Sequence, residues 1–298
     1  MKTSIKNILA VAGLLVATAA SASPMYIQLP NNSYDEGRMN PALADADTRT
    51  GTFLELGYSG MLATSIYAVD RTTGQLTGSF YDTNVPSELL AAGIPLGGIN
   101  GTSMAGSGMV NLAHPNCDLG QCDIDALNPL APPLKSDNEG FLQTWDLQVL
   151  YHFDGYLDAN GLNFTGGWYE LWFNDFNDAS NNRVVLRGEV TGSQADLANL
   201  NIFFDVTYAE AGFLWVQDEN GNFVDASTQK TTLVLDTNVN PPIPTPDQLL
   251  LVGDNAIRQT TLDGSITARI QVPEPSTIAL LGLGLFGLAG IARRRYSA

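Results

Sequence analysis

Histidine, cysteine and positive charge are all scarce in this 298-residue chain: two His, two Cys, and 14 Lys and Arg against 31 Asp and Glu. With only His114 and His152 available, most histidine-dependent mechanisms are strained from the outset. No Gly-x-Ser-x-Gly elbow, His-Glu-x-x-His helix or phosphate-cradling glycine loop is present. Cys117 and Cys122 lie five positions apart in NCDLGQCD. In an oxidising compartment such a pair reads as a small-loop disulfide that pins one loop. Zinc would need two further soft ligands, and His114 alone leaves that set incomplete. His152 reads as a surface imidazole or a ligand on a polar strand face with Asp154.

The shortage of cations excludes a class of partners. Five of the 14 fall in the terminal segments (Lys2, Lys6, Arg293, Arg294, Arg295), and the remaining nine against 31 acids, Glu274 included, leave a net charge near −22. Such a body repels phosphate backbones and anionic lipid surfaces, which argues against nucleic-acid binding. It offers many oxygen ligands to calcium, although a solvated acidic surface needs no metal. The 44% apolar and 15% charged content fits a folded body of about 250 residues between Ser23 and Val272.

Long apolar runs are confined to the two ends. Lys2 and Lys6 precede an apolar stretch from Ile8 to Ala20, and Ala20-Ser21-Ala22 supplies the small-x-small pattern of a cleaved secretory leader over 1–22, with Ser23 as the mature start. At the other end Pro273-Glu274-Pro275 is followed by an apolar run from Ile278 to Ala292 and closed by Arg293, Arg294 and Arg295. Those 15 residues, at about 1.5 Å each, reach roughly 22 Å as a helix, short of the ~30 Å hydrocarbon core. The run reads as a marginal, temporary stop in the inner membrane. The arginines stay cytoplasmic and everything before Pro273 lies outside. An ordinary C-terminal anchor is the alternative.

This three-part terminus, residues 272–298, resembles the PEP-CTERM sorting signal of Gram-negative bacteria. The resemblance implies recognition by an exosortase and delivery to the cell surface or to exopolysaccharide. The body is similar, over Met25 to Pro30, Ser136 to Asp154 and Leu233 to Gly253, to flocculation-associated PEP-CTERM proteins. That likeness implies a surface protein supporting flocculation or biofilm cohesion, and it transfers no catalytic residue.

The body, 23–271, reads as strands and turns. Trp145, Leu147, Val149, Tyr151 and Phe153 alternate with a mostly polar set, Asn160-Gly161 supplies a turn, and Trp168 to Phe173 follows as a hairpin partner. Further strands are expected at Ile66 to Asp70, Leu76 to Tyr81, Val184 to Val190, Asn201 to Tyr208, Phe213 to Gln217, Asn222 to Asp225 and Ile266 to Val272. In the third of these, Val184, Leu186 and Val190 face away from Arg183, Arg187 and Glu189. Short helical turns are expected only at Pro86 to Ala92 and Gln194 to Asn199, and Asn100 to Lys135 reads as a long excursion. The fold class is all-β, an antiparallel β-sandwich or jelly-roll-like body with a leader and a short C-terminal hydrophobic helix.

Three acidic-amide clusters are calcium candidates: Asp218, Asn220 and Asn222 with Asp225; Asn174 to Asp178; and Asp154 with Asp158 and Asn160. Hairpin-turn chemistry explains Asn220-Gly221 and Asn160-Gly161 equally well. Trp168 and Trp172 share one strand face with Glu170 between them, a pattern suited to stacking on sugar rings unless the strand is buried on both faces. Trp145 and Trp215 are assigned to the core. The leading reading is a non-enzymatic matrix protein held among polysaccharide; a secreted carbohydrate-active enzyme using paired carboxylates and a dedicated sugar-binding module are the alternatives. Protein recovered from the extracellular fraction of its producing cells is expected to show an intact mass that starts at Ser23 and stops near Pro275. A mass retaining Arg295 would instead mean a membrane-tethered protein.

Overall fold

The structure, a computed structural model, describes residues 22–34, 47–70, 72–94, 110–111, 139–141, 143–159, 161–196, 199–238 and 243–271. The leader up to Ser21, His114, the Cys117 and Cys122 pair, Asn160 and the tail from Val272, with Pro273 to Pro275 and Arg293 to Arg295, lie outside the described residues. The elements are β1 (Met25–Ile27), β2 (Leu56–Asp70), β3 (Gln75–Thr83), α1 (Pro86–Ala91), β4 (Val110–Asn111), β5 (Trp145–Asp158), β6 (Gly161–Asp175), β7 (Arg183–Asp196), β8 (Asn199–Ala209), β9 (Leu214–Gln217), β10 (Phe223–Asp225), β11 (Thr231–Asn238), β12 (Leu250–Val252) and β13 (Asn255–Ile270).

The body is antiparallel β, as its alternation predicts, and its main sheet closes on itself. The order β11-β8-β7-β6-β5-β3-β2-β13 returns to β11 through a ladder from Thr231↔Ile270 to Thr237↔Gly264. The two layers expected of a sandwich are therefore joined at both edges. Each of these eight strands pairs with the next of the ring in chain order, a meander without the crossovers of a jelly roll among the described strands. Of Gln194 to Asn199, expected as a helical turn, Gln194 to Asp196 instead end β7 and Asn199 starts β8, and Asp196 pairs with Asn199.

An eight-stranded ring leaves an interior that side chains fill. Leu147, Val149, Tyr151 and Phe153 of β5, Tyr169, Leu171 and Phe173 of β6, Leu200, Ile202 and Phe204 of β8 and Leu233 and Leu235 of β11 meet there. Remaining voids measure about 30, 30 and 20 Å³, enough for water and too small for an organic ligand. The strands bow where bulges interrupt the ladders, at Asp154/Gly155, Arg187/Gly188 and Val190/Gly192 among others. Gly188 sits where a Cβ would come within 2.4 Å of the Tyr169 ring, so only a hydrogen there lets that ring lie inside.

One pole is closed by a second sheet, β1-β9-β10, which turns Met25, Ile27, Leu214 and Val216 onto the barrel core. Its outer side carries Tyr26 stacked on Trp215 at 5.8 Å, with Arg49 over Tyr26. Trp145 is fully buried as expected, donating Nε1–H to Glu139 O. Trp215 corrects its core assignment: it is half-buried on this cap because its strand belongs to the smaller sheet. On the barrel flank α1 places Leu89 over Ile66 and Ile257, which gives β2 and β13 a second buried face.

A polar cluster lies in the interior. Ser65 lies between Asp82 and Arg258 across β3, β2 and β13, and the Asp82 carboxylate accepts from Ser65 Oγ at 3.0 Å and Tyr151 Oη at 2.9 Å. Burial pushes the Asp82 carboxyl above its ordinary range, against the pull of those hydrogen bonds and of Arg258. Arg258 is a cation that offsets this burial, and leaving a buried charged group without its counter-charge costs about 3–5 kcal/mol. Arg258→Met should therefore lower the unfolding free energy by roughly 3 kcal/mol or more. The double variant Asp82→Asn/Arg258→Met should lose clearly less than the sum of the two single losses in urea melts; strict additivity would show the two groups to be uncoupled.

Candidate functional site

The alternation of β6 sets the site. Tyr169, Leu171 and Phe173 point into the core, so Trp168, Glu170 and Trp172 stand half-buried on the outside of the barrel. They form one outward row, with Trp168 and Trp172 about 13 Å apart along the strand. Gly166 and Gly167 enter this row through the bulge at Asp154/Gly155. Gly167 has φ +113 and passes so close to β5 that a Cβ would lie 2.2 Å from His152 O. That approach seats Trp168 directly opposite His152.

Glu170 is fixed from two directions. The Trp172 indole donates Nε1–H to Oε2 at 3.1 Å, and Arg187 on β7 donates Nε–H to Oε1 at 2.7 Å. The Arg187 guanidinium also lies over the Tyr208 ring, 5.7 Å from its centre. On the other side His152 stacks on Tyr81 at 5.3 Å and meets Glu88 of α1 through Nδ1 at 2.7 Å and Asp154 through Nε2 at 3.2 Å. Glu88 Oε2 also accepts from Thr83 Oγ1 at 2.7 Å. The result is a shallow, convex row of rings interleaved with charged groups already held in place. It can offer ring faces and oriented hydrogen bonds to a flat or extended ligand.

Sequence reasoning placed Trp168, Glu170 and Trp172 on one face and His152 with Asp154 on a polar face, and the structure brings both sets together on the same outer surface. It missed Arg187, Tyr208, Tyr81 and Glu88 as neighbours, because they arrive from β7, β8, β3 and α1. The β7 phase also needs correction. A bulge puts Val185 fully inside and leaves Val184 half-buried opposite Trp172, although Leu186 and Val190 face the core as expected.

Two of the acidic clusters are hydrogen-bonded within their own turns. Asp218 Oδ1 accepts from the main-chain N–H of Asn220 and of Asn222, and Asp225 accepts from Ser227 N and Gly212 N. Those N–H donors, Asn222 first, hold the Asp218 carboxyl below its ordinary range. Asp175 accepts from Tyr34 Oη, Asn181 Nδ2 and the N–H of Asn177 and Asp178. Among the described residues, no three His, Cys, Asp or Glu side chains gather as a metal cluster.

Residues 271–295 match the family model of the PEP-CTERM protein-sorting motif, so the three-part terminus is a PEP-CTERM sorting signal. The motif marks an exported protein, sorted by an exosortase to the surface of a Gram-negative cell. No curated protein and no solved structure matches the chain. Among the described residues no helix is long and apolar enough to cross a membrane.

Burial pulls the His152 imidazole down, but Glu88 and Asp154 on its two ring nitrogens outweigh that and raise it above the ordinary 6.5. A raised folded-state value gives stability that is complete below about 6.5 and is lost as pH rises through that folded value. The melting temperature of the native protein relative to His152→Gln should therefore be highest in mild acid and should shrink as pH rises. A difference independent of pH would mean that the imidazolium makes no contribution.

Proposed function

We propose that this exported barrel is a non-catalytic matrix protein that binds exopolysaccharide through the outer row of Trp168, Glu170 and Trp172 and so supports flocculation or biofilm cohesion. The observation that carries this reading is the fixed Glu170 carboxylate between two outward indoles. Flat rings stack on the apolar faces of sugars while an oriented carboxylate and guanidinium select hydroxyls. The ring spacing along the strand favours successive units of a chain over a single small sugar. The net charge near −22 favours neutral over uronate-rich chains. An exosortase is the processing partner, and contact with the inner membrane is transient, through the apolar run of the tail. Ordered calcium at Asp218, Asn220, Asn222 and Asp225 remains a secondary proposal that the binding reading does not need.

In affinity electrophoresis or pull-down on the producing cells' own polysaccharide, Trp168→Ala and Trp172→Ala should each weaken retention at least roughly tenfold, about 1.4 kcal/mol. The melting transition should stay near that of the native protein, since neither ring is in the core. Unchanged retention would reject this face. Release of reducing ends from the polysaccharide would replace the binding role with a catalytic one.

A further inference from the structure

The folded body ends directly against its own sorting tail. Ile270, the last residue of β13, pairs with Thr231, and the next N–H, that of Gln271, still donates to Lys230 O at 2.7 Å. The sorting motif begins at that same residue, 271. Ser23 N donates to Ala268 O at 3.3 Å, so the mature start and the root of the tail lie side by side at the capped pole. The chain therefore has no spacer between barrel and signal. From Gln271 to Pro275 a fully extended chain covers at most about 14 Å, and from Gln271 to the apolar run at Ile278 about 25 Å. An exosortase that acts near Pro273-Glu274-Pro275 works within reach of the barrel wall itself.

Both signs of charge meet at this pole: Arg269 shares its groove with Glu55, Asp205 and Asp236. Arg269 projects from the same side of β13 as Gln271, is in no ion pair among the described residues, and its Nε is buried without a hydrogen-bond partner. Lys230 is paired with Asp205 at 3.0 Å and still leaves 58% of its side chain exposed. Thr232, Thr267 and Gln271 line an open groove of about 670 Å³ beside Arg269. We propose that this outer face of β11 and β13, centred on Arg269, Lys230 and Gln271, is a docking surface for the exosortase that processes the tail, so that the barrel pole is part of the substrate. The inference rests on the tail being cut, and it is independent of polysaccharide binding.

The test follows tail removal by pulse-chase and intact mass in the producing cells, with the full-length chain. Arg269→Gln and Lys230→Gln should each slow removal about tenfold, and Lys230→Arg should process at the native rate. A ten-residue Gly-Ser spacer placed between Gln271 and Val272 should erase the effect of both Gln variants, because the enzyme then no longer meets the pole. Native-rate processing of both Gln variants without the spacer overturns the docking surface alone. So does a defect that persists with the spacer, which would report damage to the fold. A native chain that keeps its tail through Arg295 overturns processing and docking together.

Discussion

The ladder between β11 and β13 is the seam on which the molecule depends. β13 pairs with β2 along one side, while its other side is shared between β12 at its start and β11 at its end. Without the β11 contact the main sheet would be open, with two long edges exposing unpaired N–H and C=O groups and an uncovered aromatic face. Closure removes those edges, and it obliges the inward side chains of eight strands to share one interior. The cap sheet and α1 then cover what closure leaves: the apolar pole below Leu214 and Val216, and the flank over Ile66 and Ile257.

A filled interior displaces function outward. The buried Asp82 and Arg258 are enclosed with Ser65 and Tyr151 around a void of about 30 Å³, so that cluster stabilises or frustrates the fold without receiving a ligand of any size. What the barrel presents to its surroundings is its convex outer wall, where bulges and Gly167 determine how Trp168 stands against His152. A convex face binds weakly per site. A protein using one would gain retention from many copies and many repeats of a polymer rather than from one deep contact.

The parts of this molecule written in short-range pattern were legible, and those written in long-range pairing were not. Period-two alternation through Trp145 to Phe153 and Trp168 to Phe173 identified two neighbouring strands, their hairpin and the outward row, because both signals lie within a few dozen residues. Closure left no such trace. Gln259 on β13 hydrogen-bonds to Thr64 on β2 across 195 positions of sequence, and neither segment indicates the other. Bulges hid the phase of β7, since one extra residue at Val185 exchanges inward and outward positions without altering composition. Asp82 follows Phe80 in phase and both are buried, but Asp82 lies one residue beyond the strand expected to end at Tyr81. A single acid in a chain of 31 acids gave no reason to read it as buried. Trp215 misled in the opposite direction, because a large aromatic on a three-strand cap has too little protein above it to be covered fully.

The same seam ties folding to sorting. The strand that closes the barrel is the last of the body, and its partner β2 lies near the beginning, so the ring cannot close until the chain through Ile270 has crossed the membrane. Contacts of such high sequence separation form slowly, since loop-closure entropy is lost before they contribute. Throughout that interval the sorting motif, which begins at residue 271, stays next to β13. An unclosed barrel presents open edges and a loose tail root; a closed one presents a rigid pole with Gln271 hydrogen-bonded to Lys230 O. On the proposed docking at this pole, an enzyme that reads the tail at this distance would sample the state of the seam as well as the motif.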